Sequence, residues 1–600
     1  MPKRRFGHRH IGVACVALLL SACHFERGAQ TPPEATLQDV QLAPEPSAQA
    51  VSMQRNKQAL GATYMAVTAN PHASQAANQV LARGGTAVDA AIAAQMVLGL
   101  VEPQSSGLGG GGFMLVWDAS QQKLSTYDGR ETAPLSVDET LFIDADSLEP
   151  MSFFNAIIGG RSVGVPGMVK MLDLAHSNHG GLPWSDLFDD ARRLATNGFV
   201  VSERLHTLIE KVPAVNARPT LASYLFNDNV ALSTGVTLKN TAYAETLKKI
   251  AQRGAVAFYE GDIAEHIVDV VRADTNRGTL TANDFASYKA VEREPVCKWV
   301  FNHKVCGMGP PSSGAITVLS ILAMMESAKV PDNVNGINQS ADLAHYFVEA
   351  SRLAFADRNT WLADSDFVDI PVTGLFKAEY LQGRAAQIAS KRTSEFSAGV
   401  PDGGEKNSYL TMPSAELPST THLSIVDQYG NIVSMTTSIE SAFGSRLMVD
   451  GFILNNQLTD FSFAYEDTQQ KKIANRVESG KRPLSSMSPM IVFDKNNNPL
   501  IAIGSPGGKS IIGYVARVLY ETLALNQNLE QSIADAHIID IGNRLRLEKS
   551  VSKELVLALK AKGHDPELRA LTSGLHVIQK SGTGWRGVAD ARREGIALGQ

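Results

Sequence analysis

Ser419-Thr420-Thr421-His422-Leu423-Ser424-Ile425-Val426-Asp427 marks the point at which the chain changes character. The preceding residues 393–419 are polar and rich in Ser, Pro, Gly and Glu, and read as a loop. From Thr421 the side chains alternate, Gln428-Tyr429-Gly430-Asn431 has the composition of a turn, and Ile432-Val433-Ser434-Met435-Thr436-Thr437 alternates again. A period of two on both sides of a turn predicts a hairpin. Further strands are expected at 451–455, 490–493 and 500–503, with a helix after Gly507-Gly508 running to about residue 525. Thr420 stands at the loop-to-strand junction. A threonine hydroxyl needs an adjacent base to act as a nucleophile, and a cut before Thr420 would supply one as its own α-amine. That amine has an ordinary pKa of about 8, so a useful fraction is neutral at pH 7. On its own, a Thr-Thr pair here also fits a plain strand start.

Upstream of the loop the chain reads mainly as helix. Residues 74–81 form a helix with Ser74 as its expected cap, ending at Gly84-Gly85, and 87–100 form a second, very apolar one. Asp89 and Gln95 interrupt the second, which suits a buried core helix better than a membrane span. Ser105-Ser106-Gly107-Leu108-Gly109-Gly110-Gly111-Gly112 leads into a strand at 113–117. No Gly-Lys-Ser/Thr follows, so this is no phosphate loop. Residues 182–392 are mostly helical by period, as at 341–358, where Leu343, Phe347, Ala350, Leu353 and Phe355 mark an apolar face. Helices flanking antiparallel strands suggest an α/β layered αββα sandwich.

Length and composition agree. The chain has 600 residues, 44% hydrophobic and 19% charged, enough for a large core. Its net charge of −6 and the lack of a long basic run beyond the N-terminus exclude a nucleic-acid footprint. Lys3, Arg4, Arg5 and Arg9 precede an apolar stretch at 11–20, which is signal-peptide organisation. It ends in Leu20-Ser21-Ala22-Cys23, similar to a bacterial lipoprotein processing site. The expected product is exported, carries lipid on Cys23 and stays on a membrane, on its periplasmic or outer side. An ordinary signal peptide with an incidental cysteine is the alternative. Residues 23–57, rich in Pro, Gln, Ala and Glu, read as a flexible tether after the 1–22 signal segment. Cys297 and Cys306 flank two short strands around an Asn302-His303 turn, and pair as a hairpin disulfide in an oxidising compartment or stay as two partly buried thiols. A metal site is not expected, because no second Cys/His pair at ligand spacing lies near them.

From about Gly61 to Gly595 the sequence resembles gamma-glutamyltranspeptidases. The resemblance rests on Gly85-Thr-Ala-Val-Asp-Ala-Ala91, the Glu102–Phe113 stretch with its glycine run, Arg130-Glu-Thr-Ala-Pro134, Gly164-Val-Pro-Gly167 and Pro310-Pro-Ser-Ser-Gly314. It continues in Thr420–Asp427, Leu454-Asn-Asn-Gln-Leu-Thr-Asp-Phe461, Gly480-Lys-Arg-Pro-Leu-Ser-Ser-Met-Ser-Pro489 and Gly504-Ser-Pro-Gly-Gly508. The resemblance implies a four-layer αββα N-terminal-nucleophile hydrolase formed jointly by a large subunit, 58–419, and a small one, 420–600, after self-cleavage between Ser419 and Thr420. It implies Thr420 as nucleophile and Gly507 and Gly508 as oxyanion hole. Arg130, Ser485 and Ser486 would hold a donor α-carboxylate, and Asp460 and Gln457 its α-ammonium. Ser438 stands where many members have threonine, and Glu440 where many have asparagine; the first keeps a hydroxyl for Thr420 and the second can accept from an ammonium. Residues 462–480 lie where some members carry a lid; here the segment is charged, and its aromatics, Phe463 and Tyr465, do not match the family's lid residue. The implied substrates are γ-glutamyl donors such as glutathione, with water, amino acids or peptides as acceptors and no cofactor. An acylase acting on cephalosporin side chains or other amides is the second enzyme reading, and a cleaved but inactive scaffold the non-enzymatic one.

Overall fold

A computed structural model describes residues 57–212, 214–328, 330, 336–404, 419–466 and 470–600. The signal segment, Cys23 and most of the tether lie outside the described residues. The fold is mixed α/β, built on two seven-stranded sheets in which every paired strand is antiparallel. One sheet runs Ile596–Gly599, Met65–Thr68, Thr421–Val426, Ile432–Ser438, Gly111–Asp118, Lys123–Gly129 and Val291–Arg293. The other runs Gln58–Gly61, Gly584–Ala589, His576–Ser581, Pro499–Ile503, Met490–Phe493, His303–Gly307 and Val296–Val300.

Strand alternation decides what each face meets. Leu423, Ile425, Val433 and Met435 point from the first sheet into a core shared with the helices Pro71–Ala82 and Ala87–Val101. On the opposite face, Met65, Val67, Phe113, Leu115 and Trp117 join Ile491, Ile501, Ile503 and Val577 of the second sheet. The interface between sheets also carries hydrogen-bonded polar groups. Ser424 Oγ donates to the His576 carbonyl at 2.9 Å and Ser434 Oγ to that of Ile503 at 3.1 Å. The helices Gly314–Ser327, Ala341–Trp361 and Ser510–Leu523 pack with the second sheet in the same core.

The hairpin predicted around Gln428–Asn431 is present, with Thr421 opposite Thr437 and Val426 opposite Ile432. Three local expectations shift. Asn70, not Ser74, caps the first helix: its side chain accepts from His72 N at 3.0 Å, and Pro71 supplies a first helical residue with φ already set. Ser74 lies inside that helix and donates to the Ile596 carbonyl. The Cys297–Cys306 hairpin turns at Phe301-Asn302 rather than Asn302-His303, because those two residues take the positive φ values, 48° and 61°, that a two-residue hairpin turn demands. Cys297 and Cys306 face each other across it with their sulfurs bonded. The strand expected at 451–455 is only Phe452–Ile453; beyond it Asn455 turns its amide to the Gly109 and Gly164 carbonyls. Among the described residues no helix is long and apolar enough to cross a membrane.

Candidate active site

Thr420 is buried where the polar loop enters the strand Thr421–Val426. Contacts on both sides hold it. Ser419 Oγ donates to the Gln104 carbonyl at 2.8 Å, and Arg593 Nη1 donates to the Thr420 carbonyl at 3.1 Å. The chain is continuous here, and the Thr420 hydroxyl sits directly against the Ser419 carbonyl oxygen. Ser438 ends the partner strand, one register step beyond the Thr421–Thr437 pair, so its hydroxyl reaches the same junction. Its Oγ lies 3.3 Å from Thr420 Oγ1 and donates to the Ser419 carbonyl at 3.1 Å. Glu440 N donates to Ser438 Oγ at 2.8 Å and fixes that hydroxyl. A hydroxyl, the carbonyl before it and a donor to that carbonyl's oxygen thus occupy one place. These are the groups an intramolecular acyl shift would use.

One cavity lined by Thr420 also takes in Arg130, Ser438, Glu440, Gln457, Asp460, Ser485, Ser486 and Gly508. Gly507 is not among its lining residues, although Gly508 is. Both glycines have positive φ, 136° and 57°, and a Cβ on Gly507 would stand 2.8 Å from the Tyr514 ring, so neither position accepts a side chain without strain.

Arg130 leaves the end of the strand Lys123–Gly129 and is only 1% exposed. Its Nε donates to the Pro483 carbonyl at 3.1 Å and its Nη2 to that of Leu484 at 3.0 Å. Nη2 also meets Asp460 Oδ2 at 2.5 Å, and Gln457 Nε2 donates to the same oxygen at 2.7 Å. The residues expected to hold a substrate's carboxylate and ammonium are therefore paired with each other here. The turn Gln457–Asp460 presents both Gln457 and Asp460. Glu440 has φ 76° and accepts from Asn456 Nδ2 at 2.5 Å.

The chain around Ser485 and Ser486 is braced from outside. Ser485 N donates to the Pro311 carbonyl at 3.0 Å, and Ser313 N donates to the Ser485 carbonyl at 2.7 Å. Arg358 Nη2 donates to Ser486 Oγ at 2.7 Å.

Arg358, Arg593 and Glu131 escape the sequence reading. Arg358 falls on the helix stripe of Phe347, Ser351 and Ala354, and nothing local marks it for a role. Arg593 lies far along the chain from Thr420 and carries no local mark. Glu131 is buried beside Arg130, its carboxylate 3.7 Å from the guanidinium. Burial pushes its carboxyl up to about 8, with Arg130 opposing. His422, next in sequence to Thr421, is held neutral by burial; its Nδ1 contacts Thr436 Oγ1 between the sheets, and it does not line the cavity. No described residue of 462–480 lines the cavity either; Phe463 stacks on Phe142 at 4.4 Å instead.

Among the described residues one group could offer three metal ligands, His345, Glu349 and His564. It does not line this cavity, and its atoms are bonded to protein: His345 Nδ1 to His564 Nε2 at 2.7 Å, and Glu349 to Arg352 and to Thr393 N.

The family model described as Gamma-glutamyltranspeptidase matches residues 73–600. The chain is 32% identical over 557 residues to the glutathione hydrolase proenzyme of Bacillus subtilis (strain 168), covering 90% of this chain and 92% of that one. It is 31% identical over 516 residues to the acylase ACY 1 proenzyme of Pseudomonas sp. (strain V22), covering 85% and 88%. Among solved structures, the gamma-glutamyltranspeptidase of Helicobacter pylori aligns with TM-score 0.51 and 32% identity, over 53% of this chain and 90% of that one. The cephalosporin acylase of Bacillus halodurans aligns with TM-score 0.77 over 90% of this chain and 97% of that one; at 23% identity this likeness concerns the fold alone.

Proposed function

This chain belongs to the gamma-glutamyltranspeptidase family, and from that membership we propose that it cleaves γ-glutamyl amides such as glutathione, passing the glutamyl group through a Thr420 ester to water, amino acids or peptides. The observation that carries the proposal is the single buried cavity joining Thr420 to Arg130, Asp460, Ser485 and Ser486. A hydroxyl nucleophile there faces groups suited to the carboxylate and ammonium of one free amino-acid head.

Maturation comes first. The Thr420 hydroxyl attacks the Ser419 carbonyl carbon, Ser438 supports the developing oxyanion, and the peptide bond becomes an ester that water opens. The freed α-amine then serves as the base of the same residue. The two pieces stay together because the strand after the cut, Thr421–Val426, pairs with Met65–Thr68, and Ile432–Ser438 pairs with Gly111–Asp118. The mature enzyme is thus a four-layer αββα sandwich shared by a large subunit, 58–419, and a small subunit, 420–600.

In turnover the Thr420 oxygen attacks the donor's γ-carbonyl, and the backbone N–H groups of Gly507 and Gly508 receive the oxyanion. The amine takes the hydroxyl proton and returns it to the leaving nitrogen. A zwitterionic head exchanges one internal ion pair for two: its carboxylate takes Arg130, with Ser485 and Ser486, and its ammonium takes Asp460, with Gln457 and Glu440. No charge of the head is left unpaired in the process, which offsets the cost of its desolvation. Export, lipidation at Cys23 and a membrane-tethered location complete the proposal.

Turnover of a chromogenic γ-glutamyl anilide, with and without a dipeptide acceptor, tests it. Release of the aniline that speeds up with acceptor is expected; no release from the self-cleaved protein refutes the activity. The acylase reading draws on the 31% identity to the Pseudomonas acylase proenzyme. Cleavage of a cephalosporin side-chain amide in place of the anilide would favour it.

A further inference from the structure

Pro310-Pro311-Ser312-Ser313-Gly314 and Arg358 have no part in the chemistry above, yet the structure wraps both around Ser485-Ser486. Ser312 pairs with Ser485 as a short parallel bridge, and Ser312 Oγ donates to the Met487 carbonyl at 2.6 Å. Ser313 Oγ donates to the Ser485 carbonyl at 2.7 Å and accepts from Arg358 Nε at 2.9 Å. Arg358 Nη2 reaches Ser486 Oγ at 2.7 Å. One guanidinium, 1% exposed, thereby joins the loop before the helix Gly314–Ser327 to the serine pair of the cavity.

The direction of these bonds matters. A guanidinium carries five N–H donors and no acceptor, so Ser486 Oγ must accept from it. The Ser486 proton is then not spent on Arg358, and the positive charge polarises the hydroxyl as a donor. Ser313 likewise accepts from Arg358, which leaves its own proton for the Ser485 carbonyl and fixes that backbone. We propose that Arg358, directly at Ser486 and through Ser313 at the Ser485 backbone, is a positioning residue that commits Ser486 to donate to the substrate α-carboxylate and places a second positive charge one hydroxyl away from it. The inference rests on the carboxylate role proposed above for Ser485 and Ser486. After self-cleavage Arg358 would act across the subunit boundary, because it precedes Thr420 and the serines follow it.

The test measures KM and kcat for two γ-acyl anilide donors, one with and one without the α-carboxylate, in wild type, Arg358→Lys, Ser486→Ala and the double variant. Lysine keeps the charge but cannot bridge two hydroxyls in one plane. Arg358→Lys is expected to raise KM for the carboxylated donor about tenfold, with kcat within about twofold and the other donor unaffected. The double variant should be no worse than the poorer single one, since both act through one hydroxyl. Should Arg358→Lys not fold, Arg358→Gln carries the same comparison, because its amide can donate to one hydroxyl but brings neither the charge nor the second arm. Equal losses for both donors, or additive effects in the double variant, would overturn the inference and leave the carboxylate pocket standing. Wild type that treats the two donors alike would overturn the pocket and the inference together.

Discussion

Arg130→Ala is the perturbation whose effect is best constrained by geometry. Three of the five guanidinium N–H donors are engaged, with Asp460 at 2.5 Å and the Pro483 and Leu484 carbonyls at 3.1 and 3.0 Å. Those carbonyl contacts hold the fork in place, so a substrate carboxylate meets a guanidinium that is already oriented. A charge-assisted hydrogen bond of this kind contributes about 1.5–3 kcal/mol. At about 1.4 kcal/mol per decade, its loss lowers kcat/KM by about 10- to 100-fold. The truncation also leaves Asp460 buried without its cation, and breaking a buried pair from one side costs about 3–5 kcal/mol of stability. Absolute rates on the variant therefore mix two effects, and the assay must cancel one of them. Comparing donors with and without the α-carboxylate on the same preparation does so. Wild type should prefer the carboxylated donor strongly, Arg130→Ala should lose most of that preference, and Arg130→Lys should recover part of it, because ammonium cannot form the planar fork. Self-cleavage should persist, since no substrate carboxylate takes part in it. Undiminished preference in Arg130→Ala refutes the assignment.

Ser438→Ala removes the donor to the Ser419 carbonyl. Self-cleavage should slow by about 100-fold, followed by gel electrophoresis of freshly synthesised precursor; maturation at the wild-type rate would dismiss Ser438 from that step. Glu131 predicts a pH effect. Its carboxyl is raised from 4.5 to about 8 chiefly by burial, so the folded chain holds a proton that the unfolded chain has lost. The associated stability is fully present below about pH 4.5 and is lost as pH rises through about 8. Glu131→Gln should raise Tm relative to wild type at about pH 8 and hardly change it near pH 4; a difference independent of pH would contradict the linkage. Cys23→Ser should leave the protein soluble or unprocessed, and unchanged membrane fractionation of that variant would argue against the lipid anchor.

Much of the local structure could be read from the sequence, because it is coded locally. The alternation on each side of Gln428–Asn431 specified both strands and the face each residue takes, and Met490–Phe493 stands where its apolar run placed it. Which strands become neighbours was not readable. Met65–Thr68 lies between Ile596–Gly599 and Thr421–Val426, and a period-two pattern names a face without naming a partner. Helix caps were half legible: Ser74 and Asn70 are both reasonable caps, and only Pro71 after Asn70 tips the balance. At the site, the groups lining the cavity were named from motif order. Their mutual contacts were not, since Arg130 and Asp460 are 330 positions apart and no sequence pattern shows that they meet. Arg358 and Arg593 were missed for the same reason, as their importance comes from what folding puts beside them.

The central claim is that Thr420 is first freed by the chain itself and then carries the glutamyl group. Mass spectrometry of the self-cleaved protein, quenched during turnover of a slow γ-glutamyl donor, tests both halves at once. The account predicts a fragment whose first residue is Thr420 and a γ-glutamyl adduct confined to its N-terminal peptide, with Thr420→Ala giving a single uncut chain and no adduct. A fragment beginning elsewhere, an adduct on another residue, or cleavage at the same bond in Thr420→Ala would contradict it.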